Sequence, residues 1–239
     1  MTRAVLTFHS IDDAPSVLSY PVAAFARLLS ELARAAIPVL PFDELQHRDH
    51  GVTLTFDDGM RSVHQNALPL LRDHGFKAHL FVTTGYLGRD NRWPTQPPAA
   101  PRFEMMDWDD VGRCAEHGFR IESHTRSHPD LRALTPTEAA EECRAADADI
   151  EKHIGVRPRF FAYPYGRYNA AVRAAVAPLY SACFGTRLDY LYTGTPLAAV
   201  PRLDTYYLRS PTLSARVLGR PVRHYIALRR VLRRLRGGT

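Results

Sequence analysis

The sequence has 239 residues, 45% hydrophobic and 23% charged, a globular composition that excludes disordered and fibrous classes and suffices for one large domain. No apolar run approaches the roughly 18 residues that cross a bilayer, and Val5 to Phe8 is followed at once by His9 and Ser10 rather than by a secretory pattern, so a soluble, unexported, cytoplasmic protein is expected. The formal charge of +6 is uneven: nine arginines and no acid fall in residues 209–239, which leaves 22 bases against 25 acids in the rest and no reason to expect a nucleic-acid footprint.

Val5 to Phe8 reads as a strand ending at His9, and Phe25, Leu28, Leu29, Leu32 and Ala36 share one face of a helix opened by Pro21. Val39 and Leu40 suggest a second short strand, Asp43 to Leu45 a helical turn, and Gly51 to Phe56 a strand that delivers Asp57 and Asp58 at its C-terminal end. A helix over Ser62 to His74, closed by Gly75, precedes a strand at Ala78 to Thr83. Residues 85–102 hold four prolines and two glycines without periodicity and read as a loop of the kind that shapes substrate grooves. The alternation continues with a helix from Trp108 to His117, whose flanking acids suit a helix N-terminus, and a strand from Phe119 to Glu122. A helix from Pro136 to Ile154 behind Thr135, a strand from Arg159 to Ala162, a helix from Asn169 and a strand from Tyr180 to Phe184 complete it. So many βα units predict a parallel sheet, closed or nearly closed into a barrel, with function at the C-terminal strand ends.

Three polar clusters fall just after strands: Asp57-Asp58-Gly59, Ser123 to His128, and Tyr163 to Gly166. His124 and His128 lie close enough in sequence for two imidazoles to converge on one ion. Two imidazoles and one carboxylate leave coordination positions open, which suits Zn²⁺, with Co²⁺, Ni²⁺ and Fe²⁺ as alternatives, better than Mg²⁺ or Ca²⁺. Adjacent carboxylates permit a division of labour, in which one binds the ion and the other takes a proton from water. Cys114, Cys143 and Cys183 are odd in number and widely spaced, and suggest buried thiols rather than disulfides or a cysteine zinc site.

On Thr55-Phe-Asp-Asp-Gly59, Ser123-His-Thr-Arg-Ser-His128 and Phe161-Ala-Tyr-Pro-Tyr-Gly166, in that order, the chain resembles the polysaccharide deacetylase family, also called carbohydrate esterase family four or the NodB-homology domain. The resemblance covers residues 5–208 and implies a distorted (β/α)7 barrel. It implies that Asp57 is the general base, that Asp58, His124 and His128 hold a divalent metal, and that the Tyr165 backbone N–H faces the developing oxyanion.

The chain departs from that pattern in two places. An arginine that often steadies the catalytic base is replaced by Ala162, and Arg202, placed after the last strands, is the candidate substitute. The usual late Leu-x-His motif is not evident, and His224 lies in the arginine-rich tail. Leu6-Thr-Phe-His9 is similar to the first strand of a permuted branch typified by poly-N-acetylglucosamine deacetylases, which makes His9 the candidate general acid.

The activity implied is removal of an acetyl group from the nitrogen of an N-acetylated amino sugar, in a polysaccharide, oligosaccharide or glycolipid. A carbohydrate O-acetyl esterase and a non-catalytic glycan-binding protein remain alternatives. Trp93, Tyr163 and Tyr165 are candidates for stacking on a sugar face or for packing at the barrel rim. His47, His50, His64, His74, His79, His117 and His153 have no partner at ligand spacing and are assigned no role.

The division expected is a catalytic domain over residues 1–208 and a basic tail over 209–239. In the tail Val222, Tyr225, Leu228, Leu232 and Leu235 recur among arginines as in a basic amphipathic helix. Such a helix packs on the barrel or makes peripheral contact with the inner membrane face, with nucleic-acid binding as a third reading.

Overall fold

The computed structural model describes residues 2–235. Seven parallel strands close a barrel: β1 (Thr2–Phe8), β2 (His50–Phe56), β3 (Ala78–Val82), β4 (Phe119–Ser123), β5 (Phe160–Ala162), β6 (Ala182–Leu188) and β7 (Val200–Asp204). They pair in chain order, and β7 returns to β1 through Leu6 opposite Leu203 and Thr7 opposite Asp204. Strand alternation divides the apolar residues between two sides. Val5, Phe81, Phe160, Phe184 and Val200 fill one cluster with Phe42, which sits edge-on to the rings of Phe160 and Phe184. Leu6, Phe8, Leu54, Phe56 and Leu80 belong to another, packed beneath the helices.

Six helices of six residues or more accompany the strands: α1 (Val22–Arg34), α2 (Leu68–Asp73), α3 (Trp108–Glu116), α4 (Pro136–Ile154), α5 (Ala170–Val176) and α6 (Arg220–Leu235). Their ends follow sequence chemistry. Asp107 with Asp110, and Thr135 with Glu138, form reciprocal capping boxes at α3 and α4. Asn169 caps α5 by accepting from the Val172 N–H.

Four expectations need correction. The helix expected over Ser62 to His74 forms and runs unbroken to Asp73, but its middle, Val63–Ala67, is a π-helical turn that leads into α2, because Pro69 has no N–H to continue the ladder. Val39 makes only an isolated bridge to Val52, and Leu40 belongs to no strand. The strand expected from Tyr180 starts at Ala182, because Ala177–Leu179 forms a 3₁₀ turn around Pro178. Arg202 lies inside β7 rather than after the last strand; Pro201 breaks the pattern by which that strand is recognised.

In the tail, α6 buries Val222 and Ile226 in the same cluster as β1 and α1, and Arg230 pairs with Asp189. Arg236 and the residues after it lie outside the described residues. No helix among the described residues is long and apolar enough to cross a membrane. The three cysteines are buried and unpaired.

Candidate active site

Among the described residues, the loops after β2, β4 and β5 carry four of the five non-glycine residues with positive φ: Asp58 at 73°, Thr125 at 65°, His128 at 55° and Tyr165 at 57°, the fifth being Ala36. Such conformations cost about 1–3 kcal/mol each and persist only where the surroundings enforce them. The enforcement is visible. Glu142 of α4 accepts from the N–H groups of Arg126 and Ser127 at 3.1 and 2.9 Å, and Thr125 Oγ1 accepts from the His128 N–H at 3.1 Å. Gly166 has no room for a side chain, since a Cβ there would stand 2.0 Å from Thr186 Oγ1.

These loops bring Asp58, His124 and His128 together, all at most 4% exposed. Nε2 of His124 lies 3.2 Å and Nε2 of His128 3.4 Å from Asp58 Oδ1. Two donors bound at about 2.0–2.1 Å to one tetrahedral ion stand about 3.4 Å apart, so the spacing fits a zinc-like centre. The donor chemistry fits as well. His124 Nδ1 lies 2.7 Å from the Ala162 carbonyl, which can only accept, so a neutral His124 turns the lone pair of Nε2 toward Asp58. A lone pair facing a carboxylate oxygen at that distance calls for a cation. Burial draws both imidazoles toward the neutral form. It prevails at His128, whereas at His124 the bond to Asp58 and the charges of Asp57 and Asp58 outweigh it.

Asp57 is joined to Arg202, whose Nη1 and Nη2 each donate at 2.7 Å to a different carboxylate oxygen. The Arg202 Nε donates to Gly185 O at 3.0 Å, and its guanidinium lies 5.8 and 5.9 Å from the ring centroids of Phe81 and Phe184. The planar fork is therefore fixed on all sides. Burial alone raises the Asp57 carboxyl, but Arg202 and His124 outweigh it and hold it below the usual carboxylate value. Asp58 is held well below that value by its two histidines, against the same effect of burial.

The long loop of residues 85–102 is tied to the site by a relay. Trp93 Nε1 donates to the Tyr165 hydroxyl at 2.8 Å, that hydroxyl meets Thr95 Oγ1 at 3.0 Å, and Thr95 donates to the His128 carbonyl at 2.8 Å. Trp93 also lies 4.2 Å from the His128 ring, and burial raises the Tyr165 hydroxyl pKa. Tyr163 is not available for sugar stacking. It is fully buried, with its hydroxyl on the Ala198 carbonyl, because alternation along β5 turns it into the packing under α5. Trp93, 3% exposed, is likewise closed to a sugar. His9, half-buried at the end of β1, lines a cleft of about 410 Å³ together with Asp57, Tyr165 and Arg202.

A family model for polysaccharide deacetylase matches residues 45–180, more than half of the chain. The chain belongs to the polysaccharide deacetylase family. Among curated relatives, a chitin deacetylase of Colletotrichum lindemuthianum is 27% identical over 162 residues, 67% of this chain and 60% of that protein. A poly-beta-1,6-N-acetyl-D-glucosamine N-deacetylase of Staphylococcus aureus is 22% identical over 169 residues, 66% of this chain and 52% of that one. The chain spans 38% of the length of YxkH and 28% of YlxY, two Bacillus subtilis relatives that it matches at 30% and 29% identity. Two solved structures share the fold. IcaB of Ammonifex degensii has a TM-score of 0.73 at 22% identity, over 90% of this chain and 97% of that one. The Streptococcus pyogenes deacetylase PplD, solved with acetate, has a TM-score of 0.73 at 22% identity, over 85% of this chain and 92% of that one.

Within this polysaccharide deacetylase barrel, two features besides the relay through Tyr165 were not expected from sequence. His79 and Glu122 form a buried pair at 3.0 Å, on strands that are neighbours only once the barrel is assembled. Arg132, Arg167 and Arg233 line the cleft from three separate elements, and no sequence spacing links them. A charge profile of each loop after a strand was the available signal for the first two of these arginines.

Proposed function

We propose that this protein is a metal-dependent hydrolase that removes the acetyl group from the nitrogen of an N-acetylated amino sugar. The observation that carries this reading is the convergence of Asp58, His124 and His128 beside an Asp57 clamped by Arg202. Asp58, His124 and His128 would hold a divalent ion, which would supply a Lewis acid and lower the pKa of a bound water. Asp57 takes the proton of the attacking water, with Arg202 holding the carboxylate in one orientation. The Tyr165 N–H receives the oxyanion that develops as the acetyl carbon becomes tetrahedral. His9 then donates a proton to the departing nitrogen, releasing acetate and a free amine. An amine leaves only when protonated, so an acid in the cleft suits an amide better than an ester.

Acetate release from N-acetylglucosamine oligomers tests the reading. Wild-type protein should release acetate, and Asp57→Asn should lose about 10²–10⁴-fold in kcat while retaining its metal. Full acetate release by Asp57→Asn would overturn the mechanism.

Peripheral contact with an anionic bilayer at the inner face of the membrane is proposed for α6. In support, Leu228, Val231 and Leu235 are exposed on a helix rich in arginine. Leu228→Glu with Val231→Glu should abolish sedimentation with phosphatidylserine vesicles; binding that persists would remove this reading.

A further inference from the structure

The charged lining of the cleft that holds His9 and Asp57 is mostly arginine. Arg132, Arg167, Arg202 and Arg233 line it, against only Asp57 and Asp204. Arg202 is fully engaged by Asp57, and Asp204 accepts from the Tyr206 N–H. Arg132 and Arg167 both converge on Asp130, Arg132 through Nε at 3.0 Å and Nη2 at 2.6 Å, Arg167 through Nη1 at 3.3 Å. One carboxylate thus serves two guanidinium groups, which are 50% and 48% exposed. The Arg167 guanidinium also lies 5.3 Å from the centre of the Tyr165 ring, which lines the same cleft. Arg233 reaches in from α6, and its contact among the described residues is the Thr186 carbonyl at 3.4 Å rather than a carboxylate.

A neutral glycan offers such groups only uncharged hydroxyl and carbonyl acceptors, with no charge to offset theirs. Of the three aromatics suited to an uncharged sugar face, Trp93 and Tyr163 are turned into the core, which leaves Tyr165 alone in the cleft lining. Guanidinium groups instead match the planar, bidentate geometry of carboxylates and phosphates. From this arrangement we infer that the amino sugar taken by this cleft carries an oxyanion, a phosphate ester or a carboxylate, bound by Arg167 and Arg233 with Arg132 behind them. The inference rests on the deacetylation reading for the sugar and on the arginine geometry for the anion.

Isothermal titration of the metal-loaded protein with glucosamine, glucosamine 1-phosphate and glucosaminuronic acid tests it without turnover. One of the anionic sugars should bind at least about tenfold more tightly than glucosamine, as charge-assisted contacts predict. The phosphate and carboxylate arms decide which anion is meant. In Arg167→Gln/Arg233→Gln that preference should vanish; Arg233→Gln alone, a change on a helix surface, should reduce it if the double variant misfolds. Equal affinity for all three sugars would overturn the inference, and so would a preference that survives these substitutions, since the anion would then sit on the metal. Acetate release is a separate readout. If it fails while the charge preference holds, the deacetylation reading falls and the anion site stands; if acetate is released without any charge preference, the reverse is true.

Discussion

Arg202 and Asp57 meet through two parallel hydrogen bonds of 2.7 Å across 145 positions of sequence. The pair joins β7 to the end of β2, so the orientation of the proposed base depends on barrel closure. Lysine retains the charge but not the fork. Arg202→Lys should lower kcat about ten- to a hundredfold with KM nearly unchanged, in steady-state acetate release, because the fork orients a group that acts only in the transition state. Arg202→Met leaves a buried carboxylate without its cation and should cost about 3–5 kcal/mol of stability in chemical denaturation.

Removal of the metal gives a second prediction. Chelation with EDTA should abolish acetate release, and added Zn²⁺ or Co²⁺ should restore it. Because Asp58, His124 and His128 are all nearly inaccessible, each would contribute a ligand that solvent does not readily replace. His124→Ala and Asp58→Asn should each bind less than one metal per chain by elemental analysis. Full metal content in both variants would place the ion elsewhere.

Much of this site was legible in sequence because its parts lie in short contiguous loops. Asp57 and Asp58 follow a β-branched run, and the two histidines and Tyr165 sit at the ends of equally recognisable strands. The choice of Arg202 rested on position alone, whereas its contact with Asp57 exists only because β7 closes the barrel between β6 and β1. Cross-strand relations of this kind have no local period. The same reason hid the His79–Glu122 pair and the relay from Trp93 through Tyr165 to Thr95. Local chemistry also overrode periodicity at Pro69, where an apolar helical face continues but the hydrogen-bond ladder cannot.

Glu122 supplies a stability prediction. Its Oε2 accepts from the N–H groups of Arg159 and Phe160 at 2.9 and 2.8 Å, and its Oε1 from His79 Nδ1 at 3.0 Å, while His79 Nε2 accepts from the Phe42 N–H at 3.0 Å. The cluster pins the start of β5 and the turn that carries Phe42. Glu122→Ala leaves two buried donors and one half-buried donor without an acceptor, and should cost about 3–5 kcal/mol in chemical denaturation. A loss below 1 kcal/mol would mean that water replaces the carboxylate.

Asp147 gives the pH-dependent prediction. It lies on α4, 5% exposed, and its Oδ1 accepts from the Tyr180 hydroxyl at 2.8 Å. Burial raises its pKa above the ordinary 3.8, and hydrogen bonds from Tyr180 and Ser123 only partly offset that rise. A carboxyl whose pKa is higher folded than unfolded contributes its stability below the unfolded value and loses it as the pH climbs through the folded one. At neutral pH the ionised carboxylate is therefore a net burden on the fold. Asp147→Asn keeps an oxygen to accept from Tyr180 and removes the charge. The variant should be more stable than wild type in urea denaturation at pH 7, and its advantage should shrink as the pH is lowered toward 3.8. An advantage independent of pH would assign the effect to packing, and a variant less stable at pH 7 would show that the carboxylate is better solvated than its burial implies.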